Sequence, residues 1–90
     1  MATFSNHCLR RMAEAVAEYE KHDTVFKAVT AEYRDKRALL HHWTEHEAIV
    51  AARKDPRRID AGSARVHFSS EATMYALAAI ADMMKGQDDV

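Results

Sequence analysis

Between Ser5 and Asp55 the chain contains neither glycine nor proline. Those are the residues with which a chain makes tight turns and breaks helices. The whole sequence holds only two glycines, Gly62 and Gly86, and one proline, Pro56. A strand-rich fold needs a turn every eight to twelve residues or so, and this chain lacks the residues to build them. The same stretch is rich in Ala, Glu, Lys, Arg and Leu, which lose least on entering a helix. The sequence therefore predicts an all-α fold, a small helical bundle of two or three helices per chain. At 90 residues it has room for one domain, residues 1–90.

Apolar spacing divides this helical material. Leu9, Met12, Val16 and Tyr19 line one face at intervals of three and four. A second stripe runs through Phe26, Val29, Tyr33, Leu40, Trp43 and Val50, widened by Leu39 and Ile49. The two stripes do not share a frame, because continuing the first would bring Asp23 and Thr30 into the seam. Between them lies Lys21-His22-Asp23-Thr24, where Asp23 or Thr24 offers a helix cap. Two readings stand, a hairpin turning near residue 22 or one very long helix kinked there, and the spacing leans towards a break. The expected helices are then about 5–22, 24–54 and 69–85.

Pro56 ends the second helix, since the residue before a proline is pushed out of the helical region. Arg57 to Ser63 reads as a loop. Ala64, Val66 and Phe68 alternate with Arg65 and His67, as an extended segment or as the first turn of the final helix. Ser69 or Ser70 caps that helix, Gly86 stops it behind Lys85, and 87–90 form a frayed tail. The final helix has Met74, Tyr75, Leu77, Ile80, Met83 and Met84 interleaved with five alanines, so it is apolar on nearly every side. A helix of that kind must be covered on every side. Two other helices of so small a chain cannot do this. The expectation is completion by homo-oligomerisation, with Met74, Tyr75, Ala78, Ala79 and Ile80 at the interface.

Composition excludes several function classes. The lone Cys8 has no partner for a disulfide or a metal knuckle. The N-terminus lacks the apolar core of a signal peptide, and no apolar run approaches the ~20 residues of a membrane span. These features predict a cytoplasmic protein with no membrane partner. A net charge of −1 supplies no long-range attraction to polymeric nucleic acid.

The motifs with chemical content are few. His42-Trp43-Thr44-Glu45-His46 matches H-x-x-E-H, in which two histidines one helical turn apart ligate zinc and the glutamate acts as base. Such a site needs a third ligand and a substrate cleft, and the string reads as surface or structural histidines, with no metal. Glu14, Glu18, Glu20, Glu45 and Glu47 read as a solvated face, because no Glu is followed by His at the spacing of a di-iron bundle. With no phosphate-cradling glycine loop and no credible nucleophile, the chain reads as a non-enzyme without cofactors. The basic cluster Arg53, Lys54, Arg57, Arg58 and Arg65 could grip phosphates, although Asp55 and Asp60 lie among it. Tyr19, Phe26 and Tyr33 are candidate stacking partners for bases, although their helical spacing equally suits a core.

One segment resembles a known family. In Ser63–Ala81, SARVHFSSEATMYALAAIA, the residues Ser63, Glu71, Ala72, Met74, Ala76, Ala78, Ala79, Ile80 and Ala81 follow the C-terminal helix pattern of phage-encoded anti-CBASS cyclic-nucleotide sponges. Tyr75 stands where that family tends to have Trp. The resemblance covers about a fifth of the chain, and Val66, His67, Phe68, Ser69 and Ser70 depart from the family just upstream. The family's ligand-contacting aromatic and lysine map onto no position here. The resemblance implies a compact all-helical subunit that assembles into a hexamer and binds cyclic di- and trinucleotides between subunits without cleaving them, whereas the apolar final helix by itself asks only for a dimer or larger. The alternative is a helical protein–protein adaptor or inhibitor of a host protein, of phage or mobile-element type. For the sponge, Arg57, Arg58, Arg65, Tyr19, Phe26 and Tyr33 are the candidate ligand-binding residues.

Overall fold

The computed structural model describes residues 3–37 and 42–88, with side chains to Lys85. Three helices follow one another: α1 (Thr3–Lys36), α2 (Glu45–Arg53) and α3 (Pro56–Asp88). No strand occurs among the described residues, and no helix is long and apolar enough to cross a membrane. α1 and α3 run antiparallel along their length. Ser5 Oγ donates to Asp82 towards one end and the Tyr33 hydroxyl donates to Asp55 at 2.8 Å towards the other. Arg65 reaches Asp23, and Arg58 reaches Thr30, in between. The result is a rod of 67 × 17 × 16 Å. Its radius of gyration is 19.5 Å, against about 12 Å for a spherical domain of this length. Such a shape has almost no interior beyond the seam between the two long helices.

That seam follows a single 3–4 spacing throughout α1: Ser5, Cys8, Met12, Ala15 and Tyr19, then His22, Phe26, Val29 and Tyr33. All are buried or half-buried. The facing line on α3 is Arg58, Ala61, Arg65, Phe68, Ala72, Tyr75, Ala79 and Asp82, likewise covered. This is the arrangement of an antiparallel coiled coil. Small residues are the tightest points, with Cys8, Ala15, Ala61 and Ala79 at 2%, 4%, 2% and 0% exposure. Each lets the opposite backbone approach.

The expected break near residue 22 is therefore corrected: α1 passes through it uninterrupted. None of the four polar residues caps a helix. His22 stacks on Phe68, centroids 5.6 Å apart and rings within 8° of parallel. Asp23 binds Lys27 and Arg65, each at 2.9 Å, and Thr24 Oγ1 donates to the Glu20 carbonyl. The frame shift vanishes once Ser5, Cys8 and Ala15, rather than Leu9 and Val16, are the seam.

The expected helix 24–54 is also corrected, because α1 ends at Lys36 and α2 begins at Glu45. Leu39, Leu40 and His41 lie outside the described residues. α2 opens with a capping box. The Glu47 amide donates to Thr44 Oγ1 at 3.2 Å, and the Thr44 amide donates back to the Glu47 carboxylate at 3.4 Å. Its Ala48 and Ala52 are buried, against α1 near Thr30 and Arg34.

The chain leaves the helix before Pro56 as expected, but Pro56 also begins the next one. The loop at 57–63, the extended segment at 64–68 and the cap at Ser69 or Ser70 are all corrected, for these residues are continuous α3. Proline is well suited to the first helical position, and Asp55 caps it by accepting from the Arg57 amide at 2.8 Å. Gly86 does not stop the helix, which continues to Asp88, so the tail is not frayed at 87 and 88.

Asp55 accepts in addition from the Arg57 guanidinium and the Tyr33 hydroxyl. Arg57 foremost, and then Tyr33, hold its carboxyl far below its ordinary 3.8. The unfolded chain thus takes up this proton first as the pH falls. Stability supplied by Asp55 is complete above about pH 5 and drains progressively as the solution is acidified. Urea melts across this range should show a shallower acid loss for Asp55→Asn than for the wild type.

Gly62 sits in mid-helix with ordinary helical φ, and a Cβ there would lie 3.4 Å from Phe26 Cε2, a normal contact. Gly62→Ala should therefore stabilise the protein by roughly 0.5–1 kcal/mol in a urea melt.

Candidate functional site

Two regions hold the residues with functional potential. One is the mid-seam cluster around Phe26. Phe26 projects from α1 towards α3, whose Arg58 and Arg65 recur at the seven-residue period and so meet the same ring. Their guanidinium carbons stand 4.2 and 3.9 Å from its centroid. Arg58 Nε also donates to Thr30 Oγ1 at 3.0 Å, and Arg65 Nη1 to Asp23 at 2.9 Å. Hydrogen bonding from Lys27 foremost, opposed by desolvation and helped by Arg65, lowers the Asp23 pKa. Beside this cluster a shallow recess is bordered by Phe26, Lys27, Thr30, Ala31, Arg34 and Arg58.

The six sequence-selected ligand residues thus fall along one seam but do not converge on one open site. Phe26, Arg58 and Arg65 meet. Arg57 lies in the first turn of α3, bonded to Asp55 and, at 3.1 Å, to Glu32. Its pKa is raised, chiefly by Asp55. Tyr33 is tied to the same Asp55, which raises the pKa of its hydroxyl. Tyr19 is half-buried in the seam, seven residues before Phe26. An anion approaching Arg57, Arg58 or Arg65 meets cations that already have carboxylate, hydroxyl or ring partners.

The H-x-x-E-H string does not form a helical histidine pair. Thr44 is the cap of α2, and His42 precedes it with φ 49°, so His42 and His46 are not on successive turns of one helix.

The second region is the outward face of α3. Ile59, Ser63, Val66, Ser70, Thr73, Leu77, Ile80 and Met84 repeat the 3–4 spacing on the side away from α1, and every one is exposed. Val66 is 69% exposed and Leu77 62%. This line carries no charge, in a chain whose residues are 30% charged. The matching outward line of α1 reads Asn6, Arg10, Ala13, Ala17, Glu20, Thr24, Lys27, Ala31 and Arg34, an ordinary solvated face.

Of the five expected interface residues, Met74 and Ile80 are exposed. Ala79 is fully buried within the chain. Tyr75 is half-buried beneath Arg11, whose guanidinium carbon is 5.8 Å from the ring centroid. Ala78 is half-buried. Ile59 and Val66 belong to the outward line and went unselected, since the sequence there read as loop and strand. Testing residues 59–84 for a second heptad line would have found them. Comparison with known proteins found no matching family model, no similar curated protein and no similar solved structure.

The two regions respond differently to substitution. Phe26→Ala removes a ring packed by two guanidinium groups and should cost about 2 kcal/mol in a urea melt. Ala79→Glu forces a charge into a fully buried seam position and should prevent cooperative folding, measured by circular dichroism.

Proposed function

We propose that the chain is a non-catalytic binding protein that works by presenting the outward face of α3 to a protein surface, as an adaptor or inhibitor does. One observation carries this reading: the uncharged line from Ile59 to Met84 is exposed over its whole length. Apolar residues at 3–4 spacing are what a helix offers to another helix or a hydrophobic groove. Exposed apolar residues gathered on one uncharged helix face, as Ile59, Val66, Leu77, Ile80 and Met84 are, support an interaction site. The ionisable groups support a structural use, because Asp23, Asp55, Arg57, Arg58 and Arg65 join one helix to another or cap a helix end. Reducing cytosol is the matching compartment, where the unpaired Cys8 is stable as a thiol.

A cyclic-oligonucleotide sponge is the second reading. It is favoured by the recess where Lys27, Arg34 and Arg58 stand around Phe26, which combines cations with an aromatic ring. A ligand there competes with Asp23 for Lys27 and with Thr30 for Arg58.

The two readings separate in two measurements. A thermal-shift screen of cyclic di- and trinucleotides should give no rise. A rise that disappears in Arg34→Ala would transfer preference to the sponge. Leu77→Glu combined with Ile80→Glu should keep the helical circular dichroism spectrum, while losing proteins that the wild type retains from a host lysate. Equal retention by both baits sinks the adaptor reading.

A further inference from the structure

We infer that the outward face of α3 forms one wall of a groove shared with α1, and that this groove receives an amphipathic helix of a partner protein, acidic at one end. The inference rests on the reading of α3 as the working surface. It names the side of that surface that is used and the chemistry of what lies there.

Two helices in contact leave a groove along each side of their seam. Arg57 meets Glu32, and Arg11, Glu14 and Glu18 border one recess with Glu71, so these residues share one side. Charges of both signs along that edge are what a coiled coil shows to water. The opposite side differs. Leu9, Val16, Asp23 and Thr30 border it on α1, and Gly62, Ser69, Ala76 and Met83 on α3. Ile59, Val66, Thr73 and Ile80, the nearer edge of the outward line, widen the α3 wall. That wall carries no charge, and facing it on α1 Leu9 and Val16 stay 39% and 40% exposed. Apolar residues on both walls of a groove are what a further helix packs against.

Two observations point to the occupant. α2 lies on this same side, against Thr30 and Arg34, with Ala48 and Ala52 buried. The chain itself thus fills one end of the groove with a helix, but α2 has only nine residues. From Lys27 back to Leu9 the wall runs on for about 27 Å at about 1.5 Å per residue, the length of a helix of about 18 residues. The second observation is charge. Beside α2, the cations Lys27, Arg34 and Arg58 stand around the recess at Phe26, against the carboxylates of Asp23 and of Glu45 from α2. Arg34 has no ion pair among the described residues, and the Lys27 side chain is 75% exposed although bonded to Asp23. A net positive end beside an uncharged length is complemented by a helix with an apolar stripe for Leu9, Val16, Val66 and Ile80. Its carboxylates then fall at the end next to Lys27 and Arg34.

A library of displayed helical peptides, each of about 18 residues, tests this. Leu is fixed at 3–4 spacing, and the other positions vary among Glu, Lys, Gln and Ala. Selection on the wild-type chain should enrich Glu at one end of the peptide. The selected peptide should bind roughly tenfold or more weakly to Val16→Glu, and to Lys27→Glu combined with Arg34→Glu, than to the wild type. Each variant should keep the helical circular dichroism spectrum. If Val16→Glu does not, Ala13→Glu, at an exposed position on the same border, takes its place. A peptide without the Glu preference overturns the inference. So does one that is lost with Leu77→Glu but indifferent to Val16→Glu and Ala13→Glu, which leaves α3 alone as the working surface. A wild type that dimerises, and that Val16→Glu makes monomeric, assigns the groove to a second copy and overturns it also. Selection that yields no peptide removes the groove helix, and the functional reading then stands or falls by its own lysate comparison.

Discussion

The seam between α1 and α3 is the constraint on which everything else rests, because a rod 16–17 Å across has no other place to put a core. Burial here is achieved by closeness rather than bulk. Ser5, Cys8, Ala15, Ala61 and Ala79 are small enough for two backbones to approach, and Tyr19, Phe26, Tyr33, Phe68 and Tyr75 fill the intervals. The apolar area gained per residue is modest, so polar contacts across the seam carry an unusual share of its specificity. Ser5–Asp82, Asp23–Arg65, Thr30–Arg58 and Tyr33–Asp55 occur at intervals along the rod and pin one register. Slipping α3 by one heptad would break all four.

This economy explains why two arginines sit at seam positions. Arg58 and Arg65 set their guanidinium carbons over the Phe26 ring, while their nitrogens reach Thr30 and Asp23. Arginine tolerates such a position because its guanidinium is flat, weakly hydrated and able to lie on a ring. Arg65 Nε, buried without a hydrogen-bond partner among the described residues, is the cost of that placement. The same reasoning accounts for His22, whose ring lies parallel to Phe68 and fills an aromatic slot with a polar residue.

The helical class was legible because it depends on what is missing, glycine and proline, and on residues whose propensity is unambiguous. The arrangement was less legible, for identifiable reasons. The largest apolar residues, Leu9 and Val16, lie off the seam that Cys8 and Ala15 form, so their spacing points to a break at His22 where the true frame continues. Pro56 carries two opposite meanings, forbidding a helix at the residue before it and favouring the first position of a new one. Only Asp55 as a cap distinguishes the second. The turn after α1 lacks glycine and proline, and its one local signal was the Thr44–Glu47 capping box, hidden inside a string that resembles a zinc motif. Of the six ligand candidates, Phe26, Arg58 and Arg65 meet in one region, and the sequence carries no signal that each is engaged by the others, by Thr30 and by Asp23.

The inference that α3 is surrounded by apolar contacts came from its composition, and the single chain satisfies only half of it. α1 covers the line through Ala61, Phe68, Ala72, Tyr75 and Ala79, leaving the opposite line exposed. Two helices in contact always leave outer faces, and α1 shows how this sequence treats a face meant for water, with Arg10, Glu20, Lys27 and Arg34 along it. The same chain places no charge on the outer line of α3 from Ile59 to Met84. Helix propensity does not require that omission, since Glu, Lys and Arg are as helix-favouring as Leu and Met. Nor does the seam with α1, which runs through Arg58, Ala61, Arg65, Phe68, Ala72, Tyr75, Ala79 and Asp82 instead. The proposed function supplies a reason from outside the hairpin, and a thin intramolecular core would make such a partner thermodynamically consequential. Anything that binds the folded rod on this face adds its binding free energy to a fold with little to spare. On the proposed reading, folding of the hairpin and covering of α3 are coupled, and a surface used to recognise a partner would also help decide how much of the chain is folded.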